Sequence, residues 1–388
     1  MSILGRLKTA FAGRDADGGN AGRLRDDALN DWRSGAREAA IEKLRTAITL
    51  APHRPELHYH LGRCLLRFGE YAQTASAMSA ALQRRPAHPL ALHCQVLLAV
   101  AQARLAQARG DTGYLPAPPL PADPPRISVI ICSADEDRYA KVSARYRELL
   151  DAVPHEIIGV HDAKSLCEGY NRGVKASRGE LLIFSHDDVE IVTPDFAARL
   201  LASMATQDLL GVVGATCLSG ATWIGSGWPH LRGQVGMPSV AGAGITANFF
   251  GVHGPDCAPV QVLDGIFLAA RRQVAIEVPF DEKNFDGWHL YDIDFTFSAH
   301  LRGFRCGVSS DQLLIHRSIG DFGDKWRFYK ERFLAKHAGN LAFEGQYGWA
   351  QLDVPTINME SSEEWLSITR HLVLANHPPG AVGSRPRA

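Results

Sequence analysis

The sequence lacks the paired cysteines and the long apolar runs that mark several large protein classes. Its seven cysteines are an odd number, lie at least 30 residues apart and form no C-x-x-C pair, so we expect neither a disulfide framework nor a zinc or redox pair. Scattered thiols of this kind are typical of a reduced, cytoplasmic protein. No stretch approaches the ~20 uninterrupted apolar residues that span a bilayer, which predicts no transmembrane segment.

An excess of positive charge is also missing. Lys and Arg total 41 and Asp and Glu total 42, and without surplus cations we expect no nucleic-acid partner, because a phosphate backbone is bound by them. There is no Gly-Lys-Ser/Thr phosphate loop, no G-x-S-x-G elbow and no His-Glu-x-x-His motif, which argues against the enzyme classes that use them.

The chain has 388 residues, 46% of them apolar and 21% charged, which is typical of a globular protein with two or three domains. We expect residues 1–20 to form a flexible N-terminus. Apolar side chains lie on one helical side of Met1–Arg14; this segment either frays, which we favour, or rests on the inner membrane surface.

Two N-terminal segments repeat with a period of 34 residues. The matched pairs are Ala47 and Ala81, Ile48 and Leu82, and Pro52 and Pro86. With the small residue Gly62 and a turn near Gly69, the pattern resembles the tetratricopeptide repeat, in which small residues let paired helices approach closely. The resemblance implies helical repeats over residues 21–110 with a concave surface for a partner protein or an acceptor. An ordinary helical bundle with coincidental spacing is the alternative.

Proline and β-branched residues mark the next two regions. Six prolines lie between Pro116 and Pro125 and predict a stiff linker over 111–125.

After the linker, short apolar strands alternate with helices. The predicted strands are 126–132, 155–160 and 180–184, and the predicted helices are 139–150 and 169–177. This order predicts a parallel sheet with its ligand site at the carboxyl ends of the strands.

The third strand is followed directly by Ser185, His186, Asp187 and Asp188. Two adjacent carboxylates repel each other unless a cation lies between them, so the segment predicts a divalent-cation site. Oxygen ligands suit Mg²⁺ or Mn²⁺, and the imidazole favours Mn²⁺. The alternative, that the two aspartates cap the next helix, is weaker because Asp195 lies nearer to its start.

From Ser128 to Asp188 the sequence resembles the family-2 glycosyltransferases, which are nucleotide-sugar enzymes of the GT-A fold. The matching segments are Ser128-Val129-Ile130-Ile131, His161-Asp162, the series Asn171, Gly173, Ala176, Gly179 and Glu180, and His186-Asp187-Asp188. His186 replaces the usual first aspartate of the metal motif, as in the streptomycin-biosynthesis type of this domain. The resemblance implies a mostly parallel α/β GT-A domain over 126–345, preceded by the all-α repeats and followed by a C-terminal extension and tail over 346–388.

The same resemblance implies roles for individual residues. The donor-binding residues would be Ser133, Asp162, Asn171 and Asp187. The cation would be held by Asp188 with His186 and His316, although a strand-end histidine such as His316 can equally be a simple hydrogen-bonding group. The acceptor would lie on Asp264, Gly265 and Trp288.

The general base implied by the resemblance is Asp292. In the segment Tyr291-Asp292-Ile293-Asp294 the two spaced aspartates match the family pattern, and Tyr291 replaces a glutamate. The alternative is that both aspartates only interact with the positive end of a helix dipole.

Together these residues imply a metal-dependent, inverting, hexosyltransferase-like enzyme. It would move a sugar from a nucleotide-diphosphate donor, a UDP-sugar by family habit, to a hydroxyl of a glycan, protein or small molecule. The rival hypothesis is a tetratricopeptide scaffold with an inactive transferase domain, and the presence of both Asp188 and Asp292 argues against it.

A second nucleotide-binding motif does not fit its surroundings. Gly242-Ala243-Gly244 with Asp264 twenty residues later fits a dinucleotide fingerprint, but no strand is expected before it. We expect residues 219–258 instead to form a long mobile loop near the acceptor.

Overall fold

The computed structural model of the chain describes residues 19–240, 242, 244–252, 254, 257–318, 320, 322–342 and 352–376. The predicted membrane-surface segment and the tail beyond residue 376 lie outside these ranges. The chain divides into two compact units: the first runs to Tyr114 and includes Asp353–Pro355 and Ser367–Leu372, and the second holds the rest. Within the described ranges no helix has the length and apolar character needed to cross a bilayer.

The first unit contains five helices among its described residues. They are α1 (Asn20–Ser34), α2 (Arg37–Leu50), α3 (Pro55–Arg67), α4 (Tyr71–Gln83) and α5 (Leu90–Ala108). Consecutive helices pack against each other. A Cβ on Gly62 of α3 would lie 2.2 Å from Cε of Met78 in α4, so the glycine permits the close approach of the second helix pair, as predicted.

The second unit alternates strands and helices. In chain order its strands are β1 (Ile127–Cys132), β2 (His155–Val160), β3 (Leu181–Ser185), β4 (Val189–Ile191), β5 (Leu209–Gly211), β6 (Val213–Ala215), β7 (Leu231–Pro238), β8 (Ile245–Gly251), β9 (Ala258–Pro259), β10 (Val262–Leu263), β11 (Phe267–Arg271), β12 (Cys306–Val308), β13 (Leu314–His316) and β14 (Thr356–Met359). Its helices are α6 (Glu136–Leu149), α7 (Leu166–Ala176), α8 (Phe196–Met204), α9 (Arg272–Glu277), α10 (Tyr291–Leu301), α11 (Asp324–His337) and α12 (Ser362–Ala375), the last of which contributes residues to both units.

One sheet of this unit, as far as the structure describes it, has the strand order β2-β1-β3-β11-β5-β12-β9. β1 pairs in parallel with β2 and β3, and β12 with β5, whereas β11 and β9 run the other way. Most strands therefore point in one direction, which confirms the predicted mostly parallel sheet. β1, inside this sheet, is buried on both faces, as its continuous apolar run predicts.

The two helices that follow β1 and β2 begin about three residues before their predicted starts. The side chain of Asp135 accepts a hydrogen bond from the N–H of Arg138, and that of Ser165 accepts one from the N–H of Glu168. These N-caps satisfy N–H groups that a helix end leaves open. They explain why α6 and α7 begin before the first apolar-periodic residue.

The prediction of a long mobile loop over 219–258 is wrong. The segment contains β7 and β8, which pair antiparallel in a second sheet. Its main path has the order β10-β6-β7-β13-β4, and β8 joins it at β7, off this path. Ile245, Ala247 and Phe249 alternate into the interior along β8. In β7, glycines hide the strand pattern because they serve close packing: a Cβ on Gly233 would lie 1.9 Å from the carbonyl oxygen of Val212.

The extension after residue 351 also carries regular structure that the sequence analysis did not predict. β14 pairs antiparallel with β8 from Thr356 to Met359. Trp365 of α12 is fully buried, and its Nε1 donates a hydrogen bond to Oε1 of Gln234 at 2.8 Å. The second sheet is therefore completed by residues that lie far along the chain.

Candidate active site

The predicted cation ligands converge where β3, β4 and β13 meet. His186 and Asp188 lie in the connection between β3 and β4, and His316 ends β13, which pairs with β4 so that His316 stands opposite Val189. Nε2 of His316 lies 3.3 Å from Oδ1 of Asp188 and 3.3 Å from Nδ1 of His186. One ligand atom from each of the three side chains lies within 4.8 Å of the others.

The protonation states of this cluster suit a cation. Burial lowers the pKa of His186, and the neighbouring His316 lowers it further. Burial opposes ionisation of Asp188, but hydrogen bonds and charge from His316, together with Ser318, hold its pKa well below the usual range. A neutral imidazole and an ionised carboxylate are the forms in which these groups bind metal.

Ser133 and Asp187, two of the predicted donor-binding residues, lie beside this cluster. Oγ of Ser133, at the end of β1, donates a hydrogen bond to Oδ2 of Asp187 at 2.6 Å. Asp162 follows β2, is exposed, and pairs with Nη2 of Arg172 at 2.6 Å. The structure thus joins Ser133 to Asp187 and leaves Asp162 facing solvent.

Asn171 makes its hydrogen bonds with another part of the domain. Its Nδ2 donates to the carbonyl oxygen of Phe280 at 2.8 Å and to Oε1 of Glu282 at 2.6 Å, and its Oδ1 accepts from the N–H of Phe280 at 3.0 Å. These bonds connect α7 to the segment before α10. The donor-binding role of Asn171 stays a prediction, and the contacts identify a structural one.

The predicted base lies at the first turn of α10. Oδ2 of Asp292 accepts a hydrogen bond from the N–H of Gly265 at 2.8 Å. Burial and the negative charge of Asp264 raise the pKa of Asp292 to about 7, against the opposing effect of the N–H groups of Ile293 and Gly265. A carboxyl with this pKa can accept a proton near neutral pH.

Two of the three predicted acceptor residues, Asp264 and Gly265, lie beside this base. Asp264 accepts a hydrogen bond from Nε1 of Trp223 at 2.7 Å and one from the N–H of Ile266 at 3.1 Å. Gly265 contacts Asp292 directly. Trp288, four residues before Asp292, exposes 52% of its surface and is open to a ligand.

The side chain of Tyr291 connects the predicted cation ligands to the predicted base. Oη of Tyr291 lies 2.6 Å from Nε2 of His186, and Tyr291 directly precedes Asp292. His186 and the base therefore belong to one site, although they are more than 100 residues apart in the chain. The sequence shows that Tyr291 replaces the family's usual glutamate, but the contact between Tyr291 and His186 could not be predicted from it.

A cavity of about 880 Å³ opens beside Asp187 and Asp188. Its walls come from α6, β4, the residues after β13 and the start of α12. Among its lining residues are Arg138, Lys141, Arg145, Glu190, Arg317 and Glu363. Its volume falls within the usual range of ligand pockets. The sequence analysis missed this surface because helix periodicity alone does not show which face of α6 borders a cavity.

Asp294, the second aspartate of the helix, is committed to a buried network. Oδ1 lies 2.8 Å from Nε2 of His337, and Oδ2 lies 2.8 Å from Nζ of Lys336, which also contacts Asp281 at 2.8 Å. This network attaches α11 to α10. The helix-dipole alternative therefore does not account for Asp294.

Comparison with known proteins identifies the family of the second unit. The model of a glycosyltransferase-like family matches residues 128–337, more than half of the chain. The chain belongs to the glycosyltransferase-like family. A tetratricopeptide-repeat model matches residues 32–95. The predicted fold class, a GT-A glycosyltransferase domain preceded by tetratricopeptide-like helices, is confirmed, and no curated protein sequence matches the chain.

Several solved glycosyltransferases are similar to this glycosyltransferase. The mannosyltransferase PcManGT from Pyrobaculum calidifontis, in complex with GDP-Man and Mn²⁺, is 13% identical over 78% of this chain and 81% of its own, with a TM-score of 0.35. GalNAc-T7 with UDP, GalNAc and Mn²⁺ is 11% identical over 51% of this chain and 44% of its own, with a TM-score of 0.33. S. aureus TarS 1-349 with UDP-GlcNAc is 14% identical over 50% of this chain and 59% of its own, with a TM-score of 0.31. The chain thus spans less than two thirds of the last two proteins.

Proposed function

We propose that this glycosyltransferase moves a sugar from a nucleotide-diphosphate donor to a hydroxyl acceptor in one inverting, metal-dependent step. The observation that carries the proposal is the hydrogen bond between His186 and Tyr291, which joins a three-ligand cluster to Asp292. Both groups that such a step requires, a charge-neutralising site and a base, thereby belong to one site.

The donor set fits a divalent cation. His186, Asp188 and His316 would hold it, and two imidazoles with one carboxylate favour Mn²⁺ over Mg²⁺, which prefers oxygen ligands. When bound, such a cation neutralises the negative charge that develops on a leaving diphosphate. The ionised Asp188 supplies the negative charge that attracts it.

Asp292 performs the proton transfer. In its ionised form it accepts the proton of the acceptor hydroxyl while the hydroxyl oxygen forms a bond to the anomeric carbon. The bond between that carbon and the diphosphate oxygen breaks on the opposite face, and the diphosphate leaves with the bonding electron pair. One displacement of this kind inverts the anomeric centre, and a base with a pKa of about 7 suits it at neutral pH.

The residues beside these groups are the ones we propose to contact the two substrates. Ser133, Asp187 and the exposed Asp162 would hold the nucleoside, which the family resemblance makes uridine, and Asp264, Gly265 and Trp288 would border the acceptor. The cavity beside Asp187 would admit one of the two substrates. The tetratricopeptide-like helices would bind the acceptor or a partner protein, and the free cysteines of the structure favour a cytoplasmic setting.

The first experiment measures thermal unfolding of the full chain with UDP or GDP, with and without Mn²⁺. We expect UDP with Mn²⁺ to raise the melting temperature, because a ligand at 100 times its Kd stabilises by about 2.7 kcal/mol. The second compares turnover of a panel of nucleotide sugars by the wild type and Asp292→Asn. If neither diphosphate stabilises the chain with Mn²⁺, the proposal is wrong. Donor binding without turnover in the wild type would favour the inactive scaffold.

A further inference from the structure

Tyr291 and Asp292, consecutive residues of α10, each form a hydrogen bond with the backbone of Gly265. Asp292 accepts a hydrogen bond from the N–H of Gly265 at 2.8 Å, and Oη of Tyr291 donates one to the carbonyl oxygen of Gly265 at 3.2 Å. A Cβ at position 265 would lie 2.3 Å from Oη of Tyr291 and 2.5 Å from Cβ of Asp292. Only glycine permits this double contact.

The single hydroxyl proton of Tyr291 determines which ring nitrogen of His186 carries a hydrogen. A tyrosine hydroxyl carries one proton, and the carbonyl oxygen of Gly265 can only accept. If that proton goes to Gly265, Oη of Tyr291 must accept a hydrogen from Nε2 of His186, 2.6 Å away. The opposite arrangement would give the tyrosine proton to the imidazole and leave a buried carbonyl without its donor, which is unfavourable.

A neutral imidazole with its proton on Nε2 has its lone pair on Nδ1. In this structure Nδ1 of His186 is the nitrogen that faces His316 at 3.3 Å and Asp188 at 3.9 Å. A metal-binding histidine commonly donates its other ring N–H to an oxygen, which fixes both tautomer and ring orientation. Oη of Tyr291 occupies the place of that oxygen.

The geometry points to Tyr291 as a positioning residue that fixes His186 in its Nε2–H tautomer, presents Nδ1 to the cation, and connects the cation site to Asp292 through Gly265. The inference rests on the proposed function, because it takes His186, Asp188 and His316 as cation ligands. Tyr291 is 4% exposed and packs near Tyr170 and Phe280, so its hydroxyl has a fixed position.

The decisive measurement is the tautomer of His186 in the metal-free protein at pH 8. Long-range ¹H–¹⁵N spectra of ¹⁵N-histidine-labelled chain report which ring nitrogen carries the proton, and His186→Gln identifies the signal. We expect Nε2–H in the wild type and a mixture of tautomers in Tyr291→Phe. A wild-type His186 protonated on Nδ1, or a spectrum unchanged by Tyr291→Phe, overturns the inference.

Titration with Mn²⁺ alone, without donor or acceptor, gives the second readout. Loss of such an outer-shell partner typically lowers metal affinity about 10- to 100-fold, and we expect that loss in Tyr291→Phe. The matched control is Tyr170→Phe, which removes a hydroxyl from the same aromatic cluster; that hydroxyl donates to the carbonyl oxygen of Ser185 instead. We expect the control to keep wild-type affinity and the wild-type tautomer. Equal affinity in wild type and Tyr291→Phe contradicts the inference.

The two readouts separate this inference from the proposed function. If the wild type binds no Mn²⁺, the metal dependence proposed above fails, and the tautomer measurement still decides the role of Tyr291. If Tyr291→Phe does not fold, as judged by its circular dichroism, the wild-type tautomer alone supports or overturns the inference.

Discussion

The carboxylates of Asp264 and Asp292 accept hydrogen bonds from consecutive backbone N–H groups. Asp292 binds the N–H of Gly265 at 2.8 Å, and Asp264 binds that of Ile266 at 3.1 Å. A neighbouring negative charge disfavours ionisation of a carboxyl group. Together with burial, the charge of Asp264 raises the pKa of Asp292 to about 7.

Replacing Asp264 by asparagine tests this relationship. In the proposed mechanism the ionised form of Asp292 accepts the proton, so wild-type kcat/KM should rise with pH through about 7. Asp264→Asn removes this negative charge and should lower the pKa of Asp292, so the rise in kcat/KM should move to lower pH. The measurement is the pH profile of kcat/KM, with Asp324→Asn as an exposed control. A profile that stays in place would mean that Asp264 does not control the base.

Asp292→Asn should lower kcat by about 10²–10⁴, the usual range for loss of a general base. Its amide can still accept from the N–H of Gly265, so substrate binding should persist. Steady-state kinetics and equilibrium binding of UDP with Mn²⁺ test both statements. Retention of wild-type kcat would remove Asp292 from the mechanism.

The same variant should be more stable than the wild type at high pH. The folded-state pKa of Asp292 is raised from 3.8 to about 7, so the neutral carboxyl contributes stability below about pH 4 that is lost as the pH rises to about 7. Asparagine does not ionise, so the variant keeps its stability as the pH rises. We expect the melting temperature of the variant to exceed that of the wild type by more at pH 8 than at pH 5. A stability difference of about 1 kcal/mol corresponds to about 2–4 °C. An equal gain at both pH values would contradict the raised pKa.

The proposed preference for Mn²⁺ rests on the two imidazoles of the cluster. Chelation with EDTA should lower activity by about 10² or more, the effect of removing a charge-stabilising group, and Mn²⁺ should restore it at lower concentration than Mg²⁺. His316→Asp replaces an imidazole by an oxygen ligand and should reduce the difference between the Mn²⁺ and Mg²⁺ concentrations that restore activity. Titrations of activity with each metal test this expectation, and His53→Asp, at an exposed histidine, is the control. A site that prefers Mg²⁺ in the wild type would contradict the ligand assignment.

The network around Asp294 should matter for stability. Its side chain is 3% exposed and contacts Nζ of Lys336 and Nε2 of His337, so Asp294→Ala removes the hydrogen-bonding partner of the buried His337 and should cost about 1–3 kcal/mol. Asp324, whose side chain is 95% exposed in its pair with Arg327, is the matched control and should cost less than about 1 kcal/mol. Urea unfolding measures both, and equal losses would contradict a structural role for the network.

Local patterns in the sequence were sufficient for the framework of the catalytic unit. The strands β1 to β3 follow from short apolar runs, and the resemblance brought His186, Asp188 and His316 together as candidate cation ligands. The bond between His186 and Tyr291 joins residues 105 positions apart, and that between Asn171 and Phe280 joins residues 109 apart. Spacing along a sequence carries no information about such pairs, because they depend on how the sheet brings distant segments together.

The second sheet was missed for a different reason. In β7 and β8, glycines occupy positions where neighbouring atoms come too close for a side chain, as at Gly236, where a Cβ would lie 2.7 Å from the ring of Trp365. Glycine at such positions weakens the alternation that predicts a strand. The partner that required the glycine, Trp365, lies 129 residues later and could not be anticipated.

The packing of Trp365 and the pairing of β14 with β8 set a lower limit on the fragment that can fold by itself. The region matched by the family stops at residue 337, before either element begins. A recombinant piece cut at that point would expose the edge of β8 and the cleft that Trp365 fills, and unpaired strand edges promote aggregation. Work on the catalytic unit alone should therefore retain residues through α12.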